Sequence, residues 1–366
     1  MSGKLTPPVT KLTADKIPEY RKERKPTEFG GCFMCHGLFV KADESLGCSC
    51  QIGYYSDLGN IARMDMGEFF NGPLLNYIRD SFKEGYEPFE MCSLCVSRTI
   101  KYLEGDLTHS VFLHVEPSTN CNLWCEICFC TDERKSTNPP PRVNLPYSSF
   151  EKMVHDLKAA GLPVGTLALV GFGEPLFNND TPRMASKTRE LFPNAHIFLD
   201  TNANFGGRRA KEIANCGLTE IRLSLDGIDQ ESYVGYRVGG NFQKALGFVQ
   251  CLVREIRETG SSTRAIWKYI LFSHNDNDEQ LRLAVAMAKE LGIEIVFDYT
   301  VGARASTRTP EEIQAIIGTV RTSANLDMEA QSLIARRLAE AREAADREAR
   351  AEHSEAQLAD ALPVSR

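Results

Sequence analysis

From residue 111 onward, apolar positions recur with two alternating periods. Short β-rich runs at residues 111–115, 166–170, 196–200, 220–225, 265–272 and 294–299 are separated by stretches of helical period. Phe150, Met153, Val154 and Leu157 share one helical face, behind Ser148 and Glu151 at capping-box spacing. Phe242, Ala245, Leu246, Val249, Leu252, Val253 and Ile256 form the clearest amphipathic stripe. Asp278 stands where it would cap a helix that turns Leu281, Ala284, Met287, Ala288 and Leu291 inward. Alternation of this kind predicts an α/β fold built on a parallel sheet. Six β-α units suit an open, partial (β/α)6 barrel, since a closed barrel would require two more. After residue 299, Thr309-Pro-Glu-Glu312 opens a helical tail with a capping box and Pro in its first turn. Residues 327–361 carry only a sparse stripe of Met328, Leu333, Ile334 and Leu338, which reads as a solvated helix or as one pairing with a second subunit.

The 366 residues allow two domains, and the texture divides them into an arm at 1–28, a cysteine-rich unit at 29–108, the barrel at 109–304 and the tail at 305–366. Residues 1–25 are polar and no stretch approaches a membrane span, so the expected location is the cytoplasm, without membrane association. A formal charge of -7 argues against a general nucleic-acid surface. The basic run Arg21, Lys22, Arg24, Lys25 has no interleaved aromatics and reads as a solvated arm. Twelve cysteines, ten of them between residues 32 and 130, point in a reducing compartment to metal or cluster binding more than to disulfides.

Three of them, Cys121, Cys125 and Cys128, lie on one short loop after the first barrel strand. Three thiolates can hold three irons of a [4Fe-4S] cluster and leave the fourth open to a small molecule. Zinc is the rival, with Cys130 as a fourth ligand. Active sites of parallel β-α folds gather at strand carboxyl ends. There stand Gly171-Phe-Gly-Glu-Pro-Leu176, in which Gly173 permits close backbone approach and Glu174 could accept from an ammonium, then Thr201-Asn202-Ala203, an Asx turn by its bland reading. The fourth strand ends in Ser224-Leu-Asp-Gly227 ahead of Arg237, whose planar fork suits a carboxylate. Asp226 is read as ordering the turn, and His274 and Asn275 follow the fifth strand.

The C-x3-C-x2-C spacing, followed by these strand ends, resembles the radical S-adenosylmethionine (radical SAM) superfamily. The resemblance implies a partial barrel in which the open iron binds the amino and carboxylate groups of SAM. It implies reductive cleavage to a 5'-deoxyadenosyl radical that takes a hydrogen atom from substrate. It further implies oxygen sensitivity, and an electron donor such as a flavodoxin or ferredoxin. Gly173, Glu174 and Pro175 match the family's Gly-Gly-Glu-Pro run, with Phe172 in place of one glycine; Thr201 and Asn202 match its Thr-Asn-Gly turn. Ser224 and Arg237 match residues that contact the SAM carboxylate. Ile127 stands where the family often places an aromatic residue.

Before the barrel, Cys32-x2-Cys35, Cys48-x-Cys50 and Cys92-x2-Cys95, with 58–60, 69–72 and Arg79, resemble the SPASM/Twitch domains that hold auxiliary [4Fe-4S] clusters. A four-cysteine cluster would use Cys35, Cys92, Cys95 and either Cys48 or Cys50, leaving Cys32 spare or alternate; structural zinc suits the pairs equally. Cys216 and Cys251 read as ordinary buried thiols. Cys130 could ligate, return a hydrogen atom to a substrate radical in an epimerisation, or merely pack. The relatives implied by this resemblance act on small molecules or peptides, and the expectation here is oxidation or epimerisation of a carbohydrate or aminocyclitol. Radical modification of a ribosomally made peptide is the second reading, and a non-catalytic iron-sulfur or zinc protein is the reading from another class.

Overall fold

A computed structural model describes residues 9–48, 56–95, 98–99, 110–128, 131, 134–135, 141–300 and 304–317. Its centre is an eight-stranded sheet. In chain order the strands are β1 (Gly37–Val40), β2 (Leu46–Gly47), β3 (Val111–Val115), β4 (Val164–Leu169), β5 (His196–Thr201), β6 (Glu220–Ser224), β7 (Arg264–Ile270) and β8 (Glu294–Asp298). They lie in the order β8-β7-β6-β5-β4-β3-β1-β2, parallel except for β2, which runs antiparallel to β1. The last six are the strands the alternation predicts, and they form the partial barrel.

Each barrel strand shows one face to the helices. Leu113, Leu167, Leu199, Leu223, Tyr269 and Phe297 are fully buried there, against a layer that includes Phe150, Val154, Met184, Ile213, Val249 and Leu281. The opposite face alternates in half-buried polar residues such as His114, Asp200, Arg222, Lys268 and Asp298. Two helix starts differ in detail from expectation. Tyr147–Ala159 begins after Pro146, with Ser148 already inside the helix and Glu151 accepting from the Tyr147 hydroxyl at 3.0 Å. Asn277, one residue earlier than expected, caps Asp278–Leu291 by accepting from the Gln280 N–H. The capping box before Pro310–Ile317 is formed: Glu312 N–H donates to Thr309 Oγ1 and Thr309 N–H to Glu312 Oε2. The tail stripe at 328–338 lies outside the described residues.

The cysteine-rich unit does not stand apart from the barrel, because β1 pairs in parallel with β3, matching Leu38 with Leu113 and Val40 with Val115. One continuous apolar core runs from Leu12, Leu38 and Ile78 to Phe297. The arm is also packed over residues 9–28. Thr10–Lys11 pairs with Ser56–Asp57, and Tyr20 meets the Phe89 ring edge-on at 5.1 Å. In the basic run Arg21, Lys22 and Lys25 stay exposed; Arg24 pairs with Glu84 at 2.5 Å and lies over Tyr86, Arg21 lies over Tyr77, and Lys25 faces Glu90. Among the described residues no helix is long and apolar enough to cross a membrane.

Candidate active site

The turns after β3, β4, β5 and β6 converge on one cleft at the carboxyl end of the sheet. It opens to solvent, holds about 150 Å³, and is lined by Cys121, Cys125 and Cys128 together with Gly173, Glu174, Pro175, Thr201, Asn202, Ser224 and Arg237. All the residues predicted for the SAM and cluster site, apart from Cys130, therefore meet in one place. Cys130 and Cys50 lie outside the described residues.

Gly173 brings the second turn against the cysteine loop. Its N–H donates to Ser118 O at 3.1 Å, and the Glu174 N–H donates to Asn120 O at 2.7 Å. A Cβ at Gly173 would stand 2.3 Å from Ser118 O and 2.5 Å from Asn120 O, so the close approach that sequence assigns to this glycine is to the loop backbone itself. Glu174 then ties the second turn to the third. Its Oε1 accepts from Thr201 Oγ1 at 2.7 Å and Leu176 N at 3.1 Å, and Oε2 accepts from Asn202 N at 2.7 Å. Burial pushes the Glu174 carboxyl up to about 7, against the pull of these three donors.

Asn202 does two things. Its Oδ1 accepts from Asn204 N, closing the Asx turn, while Nδ2 donates to Asn122 Oδ1 at 2.8 Å and points at Cys121 Sγ at 3.8 Å. Arg237 is held by Asp226, Nε to Oδ2 at 2.5 Å, and turns Nη1 toward Cys125 Sγ at 3.7 Å. Asp226 does order its turn, since Oδ1 also accepts from Ile270 N at 2.7 Å. Asn275 completes this latch through Asp226 O and Ile270 O. His274 stacks on Phe272 outside the cleft lining.

Burial, before any other cause, pushes the Cys121 thiol up to about 11 and raises Cys125. These thiols are protonated at neutral pH until a metal displaces the proton. Three thiols with Leu123 N–H, Asn202 and Arg237 directed at the sulfurs fit a cluster whose potential is tuned by such hydrogen bonds. Among the described residues no three Cys, His, Asp or Glu are already drawn into a metal-ion cage, here or in the front.

Two cleft residues escape sequence reasoning. Arg134 clamps the loop by donating to Cys121 O at 3.1 Å and Leu123 O at 2.6 Å while stacking on Trp124. Asp200 lines the cleft from β5, and its Oδ1 is buried with no hydrogen-bond partner. Neither belongs to a motif. Only the parity of Asp200 within its strand signals that it faces away from the helices.

The front cysteines form one electrostatic neighbourhood. A hydrogen bond to Cys35, burial, and the nearby Cys35, Cys92 and Cys95 sulfurs raise the Cys32 thiol. Burial and Cys95 push Cys48 up to about 12, and burial and Cys48 raise Cys92. Cys35 is lowered by its Cys32 hydrogen bond, and Arg79 Nε donates to Cys35 O at 2.8 Å. Cys216 and Cys251 each donate to a carbonyl, Ile213 O and Gly207 O, away from both groups.

The chain is similar to a probable GTP 3',8-cyclase of Archaeoglobus fulgidus, 29% identical over 167 residues, 45% of this chain and 51% of that protein. A GTP 3',8-cyclase of Hydrogenovibrio crunogenus is 24% identical over 191 residues, 52% of this chain and 54% of that protein. The chain thus spans about half the length of these relatives. A solved radical SAM methyltransferase from Sphaerobacter thermophilus aligns at 18% identity and TM-score 0.42, over 59% of this chain and 67% of that one. The profile of the Radical SAM superfamily matches residues 115–314. That span is more than half the chain and contains every residue lining the cysteine cleft, so the chain belongs to the radical SAM superfamily.

Proposed function

We propose that the protein cleaves SAM reductively and uses the radical to remove a hydrogen atom from a small polar molecule. The observation that carries this is the meeting of Cys121, Cys125 and Cys128 with Glu174, Asn202, Ser224 and Arg237 around one cleft. When bound, the cluster and SAM supply a 5'-deoxyadenosyl radical. The protein supplies position and field. Cys121, Cys125 and Cys128 hold three irons, Arg237 and Asn202 donate to the sulfurs, and Asp226 fixes the Arg237 fork toward a carboxylate. Glu174 locks two turns together and keeps the Oε2 lone pair not used by Asn202 for an ammonium.

Anaerobic reconstitution and reduction in the presence of SAM should yield 5'-deoxyadenosine. Absence of product above that of a Cys121→Ala, Cys125→Ala, Cys128→Ala variant overturns the reading and leaves a non-catalytic metal protein.

In the front, Cys35, Cys92 and Cys95 with Cys48 or Cys32 would hold an auxiliary [4Fe-4S] cluster in a SPASM/Twitch-like unit. Their electrostatic proximity supports this, and Arg79 on the Cys35 carbonyl fixes one ligand. Iron and sulfide counting should give about two clusters per chain, falling to one in Cys92→Ala, Cys95→Ala, whereas zinc at one per chain selects a structural metal. For the substrate, the names of the similar proteins suggest GTP, whereas oxidation of a carbohydrate or aminocyclitol is the reading made from sequence.

A further inference from the structure

We propose that Lys41 is the buried counter-cation of an iron-sulfur cluster in the front, standing beside Cys48 as the fourth ligand and setting the cluster's reduction potential. The inference rests on the auxiliary-cluster reading of the front cysteines. It names one ligand of that site and the residue that tunes it.

Lys41 follows β1 directly, and since β1 is parallel to β3 it lies at the carboxyl end of the sheet. The residue is only 8% exposed, and its Nζ donates to Ser56 O at 3.2 Å. An ammonium carries three donors and a full charge, and a buried charge calls for an anion. The ion pairs of the front are made by other cations, Arg24 with Glu84, Lys25 with Glu90 and Lys83 with Asp80, and among the described residues none reaches Lys41. Residues 49–55, between Cys48 and Ser56, include no Asp or Glu.

Ser56 joins this ammonium to the cysteines. Its carbonyl holds Lys41, and its hydroxyl oxygen accepts from the Cys48 N–H at 2.9 Å. Cys48 itself follows β2, the antiparallel partner of β1. Burial pushes the Cys48 thiol up to about 12; Ser56 and then Lys41 pull against it. A metal-bound Cys48 thiolate is therefore the anion that Lys41 lacks. The other charges near the group lie elsewhere: Arg79 and Lys83 face Cys35, and the Glu87 carboxylate faces Cys92. Arg79 is spent on the neutral acceptors Cys35 O, Phe70 O and Asn76 Oδ1. Cys32, the other candidate for fourth ligand, sends its N–H to Cys35 Sγ at 3.5 Å, which suits a residue that supports a ligand sulfur.

The consequence is electrostatic. Four thiolates on a [4Fe-4S]2+ core leave two net negative charges, and one-electron reduction adds a third. A cation buried close by stabilises the reduced state more than the oxidised one and so raises the potential.

The test is a redox titration followed by electron paramagnetic resonance, on the reconstituted full chain carrying Cys121→Ala, Cys125→Ala and Cys128→Ala so that only the front cluster responds. Lys41→Met is expected to lower the ratio of reduced to oxidised cluster about tenfold at fixed potential, a shift of about 59 mV for one electron. Lys41→Arg keeps the charge and should hold the ratio within about twofold. If Lys41→Met loses its iron, Lys41→Arg is expected to retain it, which again ties the site to the charge. Cys48→Ala should lose the front iron. An unchanged ratio in Lys41→Met, an equal shift or equal iron loss in Lys41→Met and Lys41→Arg, or full front iron in Cys48→Ala overturns the proposal. Metal counting in the chain with Lys41 and Cys48 intact reports separately on the underlying reading, because zinc in place of iron removes the auxiliary cluster itself.

Discussion

Glu174 is the carboxyl whose protonation the fold most changes. Held at about 7 by burial, it lies well above its ordinary 4.5. Between those values the native state of the metal-free protein binds a proton that the unfolded chain has released, so stability falls as pH rises through this window. The slope is at most about 1.4 kcal/mol per pH unit and the whole effect about 3 kcal/mol. Chemical denaturation of metal-free protein from pH 4.5 to 7.5 should show this decline, and Glu174→Gln should flatten it; an unchanged slope in the variant assigns the dependence elsewhere. Ala203 presents a different strain. It is fully buried at φ 57, the left-handed conformation that suits glycine at this turn position. Replacing it by Gly relieves about 1 kcal/mol of backbone strain but loses a buried methyl worth about 0.8 kcal/mol and loosens the unfolded chain. These terms nearly cancel, so Ala203→Gly should leave the midpoint almost unchanged. Ala203→Val adds a β-branch at positive φ and should cost more than about 2 kcal/mol in urea unfolding.

At the scale of elements, the site is a set of turns stitched backbone to backbone. Gly173→Ala would press a methyl on Ser118 O and Asn120 O, backbone atoms that cannot swing away. The expected result is a loss of about 1–3 kcal/mol together with reduced iron after reconstitution, because the displaced loop carries Cys121. Retention of full iron content would contradict the stitched-turn account. The barrel strands were legible because each has one buried face, so that Leu113, Leu199 and Phe297 recur at every second position. Strand β1 was not. Leu38, Phe39 and Val40 are all fully buried, and a strand covered on both faces has no period of two to detect. The same division holds within the cleft. Cysteine spacing, the Gly171-Phe-Gly173 turn and the Thr201-Asn202 turn mark Cys121, Gly173 and Asn202 in sequence, whereas Arg134 acts through two loop carbonyls that only the folded chain brings to it.

For the whole molecule, β1 decides how the front and barrel depend on one another. It covers the edge of β3 that would otherwise expose unpaired N–H and C=O groups: Phe112 N–H donates to His36 O at 3.0 Å and Glu116 N–H to Val40 O at 2.8 Å. Glu116, itself buried, closes the join by accepting from Ala42 N at 3.1 Å and from Phe172 N at the lip of the cleft. Behind β1, Leu38, Leu46, Leu75 and Ile78 belong to the same apolar core as Leu113 and Val154. Burying one large aliphatic side chain contributes about 1.5–3 kcal/mol, and a domain's net stability is only about 5–15 kcal/mol, so losing four such groups and the edge pairing exceeds what the barrel can spare. A chain beginning at residue 109 is therefore expected to aggregate or remain unfolded, and the intact protein should unfold in one transition followed identically by Trp267 fluorescence and by circular dichroism. Val40→Asp, placed at the seam against Val115, should destabilise front and barrel together. Two separate transitions, or a soluble and cooperatively folded chain from residue 109, would show that the front is an attachment and not part of the barrel's core.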